Sequence, residues 1–139
     1  MTQVIPERPT RDNGEDVVLI AVPASGAYLG VLRTATAGLA ARLQFTLDEI
    51  EDLRIAVDEA CAILLAVADI DAELACRFTV TGNTLKVEAS VPASGNPVRM
   101  PTGESFAWQV LSALADEVSA DVSGKRATIR LTKRRPASG

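Results

Sequence analysis

No histidine occurs anywhere in the 139 residues. That absence excludes Ser-His-Asp and Cys-His nucleophilic chemistry, imidazole acid–base catalysis and most transition-metal sites together. Any reaction has to run on carboxylates, lysine or a bound nucleotide. Long apolar runs are missing too, and none approaches the roughly 18 residues a membrane span requires. Met1 to Asp16 is polar and mixed in charge, without the apolar stretch of a signal peptide. A cytoplasmic chain with no membrane partner is expected. Lysine is scarce (three residues against eleven arginines), and the net charge is −4. Such a chain lacks the basic surface that displaces counterions from nucleic acid, so no direct nucleic-acid partner is expected. Cysteine is limited to Cys61 and Cys76. Their separation permits a disulfide, but two core thiols are the favoured reading for a cytosolic chain. With no histidine to join them, they cannot complete a zinc site.

What is present is an apolar fraction of 47%, enough for one domain with one core. Residues 1–16 carry prolines, a glycine and mixed charges without periodicity and read as a disordered leader. Val17-Val18-Leu19-Ile20-Ala21-Val22 is a β-branched run of strand length, stopped by Pro23. From Ala24 to Gln44, Leu29, Leu32, Thr36, Leu39 and Leu43 recur at spacings of three and four, which predicts an amphipathic helix. Thr46-Leu47-Asp48-Glu49 has the form of a capping box. The helix it opens, to about Ala68, carries Ile50, Leu53, Val57, Ala60, Cys61, Leu64 and Leu65 on one face.

Two alternating segments follow, Leu74 to Val80 and Leu85 to Val91, joined through Gly82-Asn83 as a hairpin. Residues 92–104 hold three prolines and two glycines without a period and read as a long loop. Ser105 caps a third helix expected to reach Val118, burying Phe106, Val110, Ala113, Leu114 and Val118. A last hairpin turns at Ser123-Gly124 into a strand with Ala127, Ile129 and Leu131. Residues 135–139 read as a flexible tail. The expected fold is α+β: a two-layer sandwich of a mostly antiparallel mixed sheet with three helices on one face, spanning 17–134.

Three segments, in this order and spacing, resemble the RsbW/SpoIIAB-type anti-sigma factors, serine protein kinases with a histidine-kinase-like (GHKL) ATPase fold. Asp52-Leu53-Arg54-Ile55-Ala56-Val57-Asp58-Glu59-Ala60 is similar to that family's helix bearing its N-box glutamate. Gly103-Glu104-Ser105 and the apolar run to Asp116-Glu117-Val118 are similar to its glycine-box loop and following helix. Ala127 to Arg134 is similar to its closing strand. The resemblance implies a sigma factor of the stress or sporulation type as partner. It also implies a STAS-domain anti-anti-sigma protein as competitor, a homodimer, and ATP with Mg²⁺ as cofactors. Glu59 is implied as the catalytic carboxylate, with Gly95, Gly103 and Ser105 at the nucleotide.

Two positions depart from the family. The asparagine that ligates Mg²⁺ one turn after the glutamate is replaced by Ile63, which offers a hard cation no oxygen. The Asp-x-Gly-x-Gly after the second hairpin strand is replaced by Ala89-Ser90-Val91-Pro92-Ala93-Ser94-Gly95, with no acid and one late glycine. Sequestration of a sigma factor without effective kinase activity is therefore the leading expectation, and an active ATP-dependent serine kinase the alternative. Asp58 reads as a solvated helix charge. Arg33 and Arg54 read either as partners for acidic groups on a sigma factor or as ordinary helix-surface pairs. Trp108 reads as the edge of the core, or as a residue beneath a nucleotide lid.

Overall fold

A computed structural model describes residues 14–95, 97–101 and 103–136, so residues 1–13 of the expected leader and 137–139 of the expected tail lie outside it. β1 (Asp16–Pro23) passes through a 3-10 turn (Gly26–Tyr28) into α1 (Leu29–Arg42) and α2 (Leu47–Val67). The hairpin of β2 (Glu73–Thr81) and β3 (Thr84–Pro92) follows, then α3 (Phe106–Leu114) and the hairpin of β4 (Glu117–Ser123) and β5 (Arg126–Arg134). Among the described residues, no helix is long and apolar enough to cross a membrane.

α1 stops where Gln44 turns to a φ of 63°, and two residues later the capping box starts α2. Thr46 Oγ1 accepts from the Glu49 amide at 3.1 Å, and Glu49 Oε1 accepts from the Thr46 amide at 2.7 Å. Two amide donors of the helix start are thereby satisfied. α2 buries Leu53, Ala56, Val57, Ala60, Cys61 and Leu64, and packs on β3 and β5. Each fully buried Leu or Val in that row stabilises the fold by roughly 1.5–3 kcal/mol. α1 lies against α2, and α3 fits against α2 and β4.

The sheet order is β1-β2-β3-β5-β4. Ile20, Cys76, Ala89, Ile129 and Ala120 stand opposite one another across all five strands, on the face the helices cover. The next row, Leu19, Arg77, Glu88, Arg130 and Ser119, lies on the opposite face. Period-two alternation along each strand separates these two sets.

Four details correct the sequence expectations. The sheet is not mixed, because every adjacent pair of described strands is antiparallel. β3 and β4, joined through α3, do run the same way, but β5 inserts between them. Secondly, α3 ends at Leu114 rather than Val118. The Asp116 amide donates to the Thr132 carbonyl at 2.8 Å and Val118 pairs with Leu131, so the edge of β5 captures the chain a turn early.

Thirdly, α3 turns Leu111 into the core, leaving Phe106 82% exposed and Ala113 exposed. In a helix reading Phe-Ala-Trp-Gln-Val-Leu-Ser-Ala-Leu, apolar residues surround the axis and periodicity selects no single face. Finally, the last hairpin turns at Gly124-Lys125, both at positive φ. At the two ends, β1 already includes Asp16, paired with Val80, and Arg135 exchanges two hydrogen bonds with Asn83.

Truncating the central contact is expected to be the more damaging of two changes. Leu64→Ala should lower stability by about 2–5 kcal/mol, and Thr46→Ala, which removes the cap, by about 1 kcal/mol. Both would be read as lower urea midpoints at unchanged m.

Candidate functional site

The residues singled out from sequence fall on α2, on the segment that follows β3, and at the start of α3. Glu59 and Ile63 sit one turn apart on α2, beside its buried row. Glu59 is half-buried and has no hydrogen-bond or ion-pair partner among the described residues. Ile63 packs its apolar side chain against the core. Ser105 is the N-cap of α3, its Oγ accepting from the Trp108 amide at 3.2 Å. Trp108 is half-buried at the edge of the core, 3.9 Å from where a Cβ on Gly103 would lie.

Neither Gly95 nor Gly103 has a positive φ, and a Cβ at either position would meet only ordinary contacts. The fold itself therefore does not demand glycine there. Ile63 supplies no oxygen to a hard cation, and among the described residues no three Asp, Glu or Cys side chains gather into a possible metal site.

Two ion pairs tie charged residues on the helix pair together. Arg33 Nε lies 3.2 Å from Asp58 Oδ1 across α1 and α2, and Arg54 pairs with Glu51 at 3.1 Å within α2. All four side chains are at least two-fifths exposed, so each pair is worth under about 1 kcal/mol. Asp58 is thus an inter-helix partner rather than a lone solvated charge.

Cys61 and Cys76 are free thiols buried between α2 and β2, which settles the alternative between thiols and a disulfide. The hydrogen bond to Cys76, then burial, then the negative charges of a Cys76 thiolate and Asp58 push the Cys61 thiol far above its usual range. A thiol so placed stays protonated and inert.

At the root of the segment after β3, Asp69 accepts at Oδ1 from both the amide and the hydroxyl of Ser94, at 2.8 and 2.9 Å. Those two bonds, helped by Lys125, hold the Asp69 carboxyl below the usual carboxylate range. Sequence reasoning missed this contact. Asp69 and Ser94 are 25 residues apart, and neither belongs to a motif.

The helix-free face of the sheet was missed as well. A depression of about 380 Å³ there is lined by Arg77, Lys86, Glu88, Glu117, Arg130 and Arg134, among others. Arg130 bridges Glu88 and Asp121 across three strands, and Arg134 pairs with Glu117. The polar half of each strand's alternation is the only sequence signal for this surface.

No family model matches the chain. It is 36% identical over 135 residues to the anti-sigma-F factor RsbW of Mycobacterium tuberculosis, covering 92% of this chain and 79% of that protein. It is 41% identical over 78 residues to the serine-protein kinase RsbW of Bacillus subtilis, covering 54% of this chain and 49% of that one. Among solved structures it is similar to the RsbU and RsbW domains of a Mycobacterium tuberculosis protein, with a TM-score of 0.69. That match is 16% identical and covers 88% of this chain and 34% of the other, a likeness of fold alone.

The thiol environment generates a prediction. Neither cysteine should react with iodoacetamide in the folded protein under conditions that alkylate both in urea. A raised thiol pKa makes its contribution to stability complete below the ordinary thiol range and progressively lost as pH rises above it. Cys61→Ala should flatten the alkaline fall in urea midpoint.

Proposed function

Since the chain belongs to the RsbW family of anti-sigma factors, we propose that it binds an RNA polymerase sigma factor and keeps it from the polymerase. The observation that carries this reading is similarity over 92% of the chain to an anti-sigma-F factor. Sequestration asks only for a shaped surface, so it tolerates the loss of the metal-ligand position at Ile63 and of the acidic glycine-rich motif after β3. In this proposal a STAS-domain anti-anti-sigma protein releases the sigma factor by competing for the same surface. The working form is a homodimer. The helix-free sheet face, which carries Arg77, Lys86 and Arg130 beside Glu88 and Glu117, presents both charge signs to a second copy.

A second reading is favoured by the Bacillus relatives, whose name is serine-protein kinase. The chain spans about half the length of those relatives. Under it, Glu59 orients or deprotonates the serine hydroxyl of the STAS partner, and Gly95, Gly103 and Ser105 face the ATP phosphates. Phosphoryl transfer relies on positioning and on charge neutralisation by metal. The side chain at Ile63 weighs against it, and ATP with Mg²⁺ is proposed to bind weakly or not at all.

Two measurements decide between these readings. The purified chain should form a stable complex with a sigma factor of the stress or sporulation type and rise in melting temperature on adding it. Absence of any such complex across those sigma factors would sink the proposal. ATP with Mg²⁺ should leave the melting temperature unchanged. Phosphate transfer to a STAS protein at kinase-like rates, abolished by Glu59→Ala, would establish the kinase reading instead.

A further inference from the structure

The link between α2 and β2 carries an anion where a helix disfavours one. α2 ends at Val67 with no basic residue in its last turn, and Asp69 follows two residues later. The negative end of the helix dipole opposes a carboxylate at that place, so local helix chemistry does not account for it. What engages the carboxylate is remote in sequence: the amide and hydroxyl of Ser94, both bound to Oδ1. The same point is laced by backbone. The Asp69 amide donates to the Pro92 carbonyl at 2.9 Å, and the Ala93 amide donates to the Lys125 carbonyl at 2.9 Å. Farther along, Val98 and Met100 pack against the core.

We infer that Asp69 is a positioning residue that pins the root of the segment after β3, so that the path of residues 92–94 is set by the protein's own hydrogen bonds and needs no bound nucleotide. The inference rests on reading the chain as a binding module with a degenerate nucleotide site, and it adds how that segment keeps its order. A charge-assisted pair of bonds to one oxygen is stronger than neutral contacts and directional, as an anchor requires. Lys125, on the β4–β5 turn, is the cation that acts on Asp69, and Asp71 is the other acid of the same link. Because Ser94 cannot ionise, the charge-assisted part of the anchor follows the charge state of Asp69. It is complete above the usual aspartate range and released as pH falls below it.

Amide hydrogen exchange at Ala93 and Ser94 tests the inference directly. In the wild-type chain these amides should be protected without nucleotide, and adding ATP with Mg²⁺ should change their rates less than twofold. Asp69→Ala should speed exchange at Ser94 at least tenfold, with Val87 and Ala89 in β3 unchanged as the control for folding. Asp69→Asn, which keeps one acceptor, should fall between. The Asp69 carboxyl, followed by NMR, should titrate below an ordinary aspartate, and in Ser94→Ala it should move back toward it. Unchanged exchange in Asp69→Ala would overturn the inference, as would tenfold protection of the wild-type segment by ATP with Mg²⁺. Neither readout uses a sigma factor, so failure of sigma binding would sink the functional proposal and leave this one standing.

Discussion

The contact on which everything else hangs is that of α2 with β3 and β5. Its buried row of Leu53, Ala56, Val57, Ala60, Cys61 and Leu64 meets the inward residues of the sheet's central strands. α1 reaches the core chiefly by leaning on this helix, and α3 fills the space between it and β4. The small residues Ala56 and Ala60 let the helix lie close to the sheet, where Ala89 and Ala127 are equally small. A helix held this firmly carries Glu59 and Ile63 at fixed places, whatever chemistry they retain.

The same frame separates lineage from activity. The order of elements, the antiparallel sheet and the placing of Glu59 on α2 all follow from the packed core. Core packing depends on the apolar row of α2, and Ile63 beside that row adds its own side chain to the packing. A fold held by its hydrophobic side does not dictate the chemistry of the polar residues on the flanking side. A protein–protein surface, distributed over many side chains, does not depend on any one of those residues in the same way.

Much of the fold was legible in the chain, for identifiable reasons. The Thr46–Glu49 box announces α2, alternation announces β2, β3 and β5, and Gly82 takes the positive φ that a two-residue hairpin loop needs. α3 was misjudged in length and in face, because nearly every residue of 106–114 is apolar and its true end is decided by pairing with β5. The candidate site was legible only as family resemblance. Glu59 can be placed on its helix from sequence, but the Asp69–Ser94 tie and the outer charge rows exist only once distant segments meet. Local pattern carries information about faces and caps; contacts across 25 or more residues are set by the assembled sheet and leave no periodic trace.

The edge position of β1 has a consequence of a different kind, for the unfolded chain. Val17-Val18-Leu19-Ile20-Ala21-Val22 is uncharged, rich in β-branched residues and free of proline, and in the folded sheet one of its sides has no strand neighbour among the described residues. Such a stretch pairs readily with copies of itself whenever it is released. β4, at the other edge, carries Glu117 and Asp121 and is blunted by charge. Self-association from partly unfolded molecules would thus start at the β1 edge, and the terms that limit recovery after refolding are concentration and the time this one hexapeptide spends unpaired.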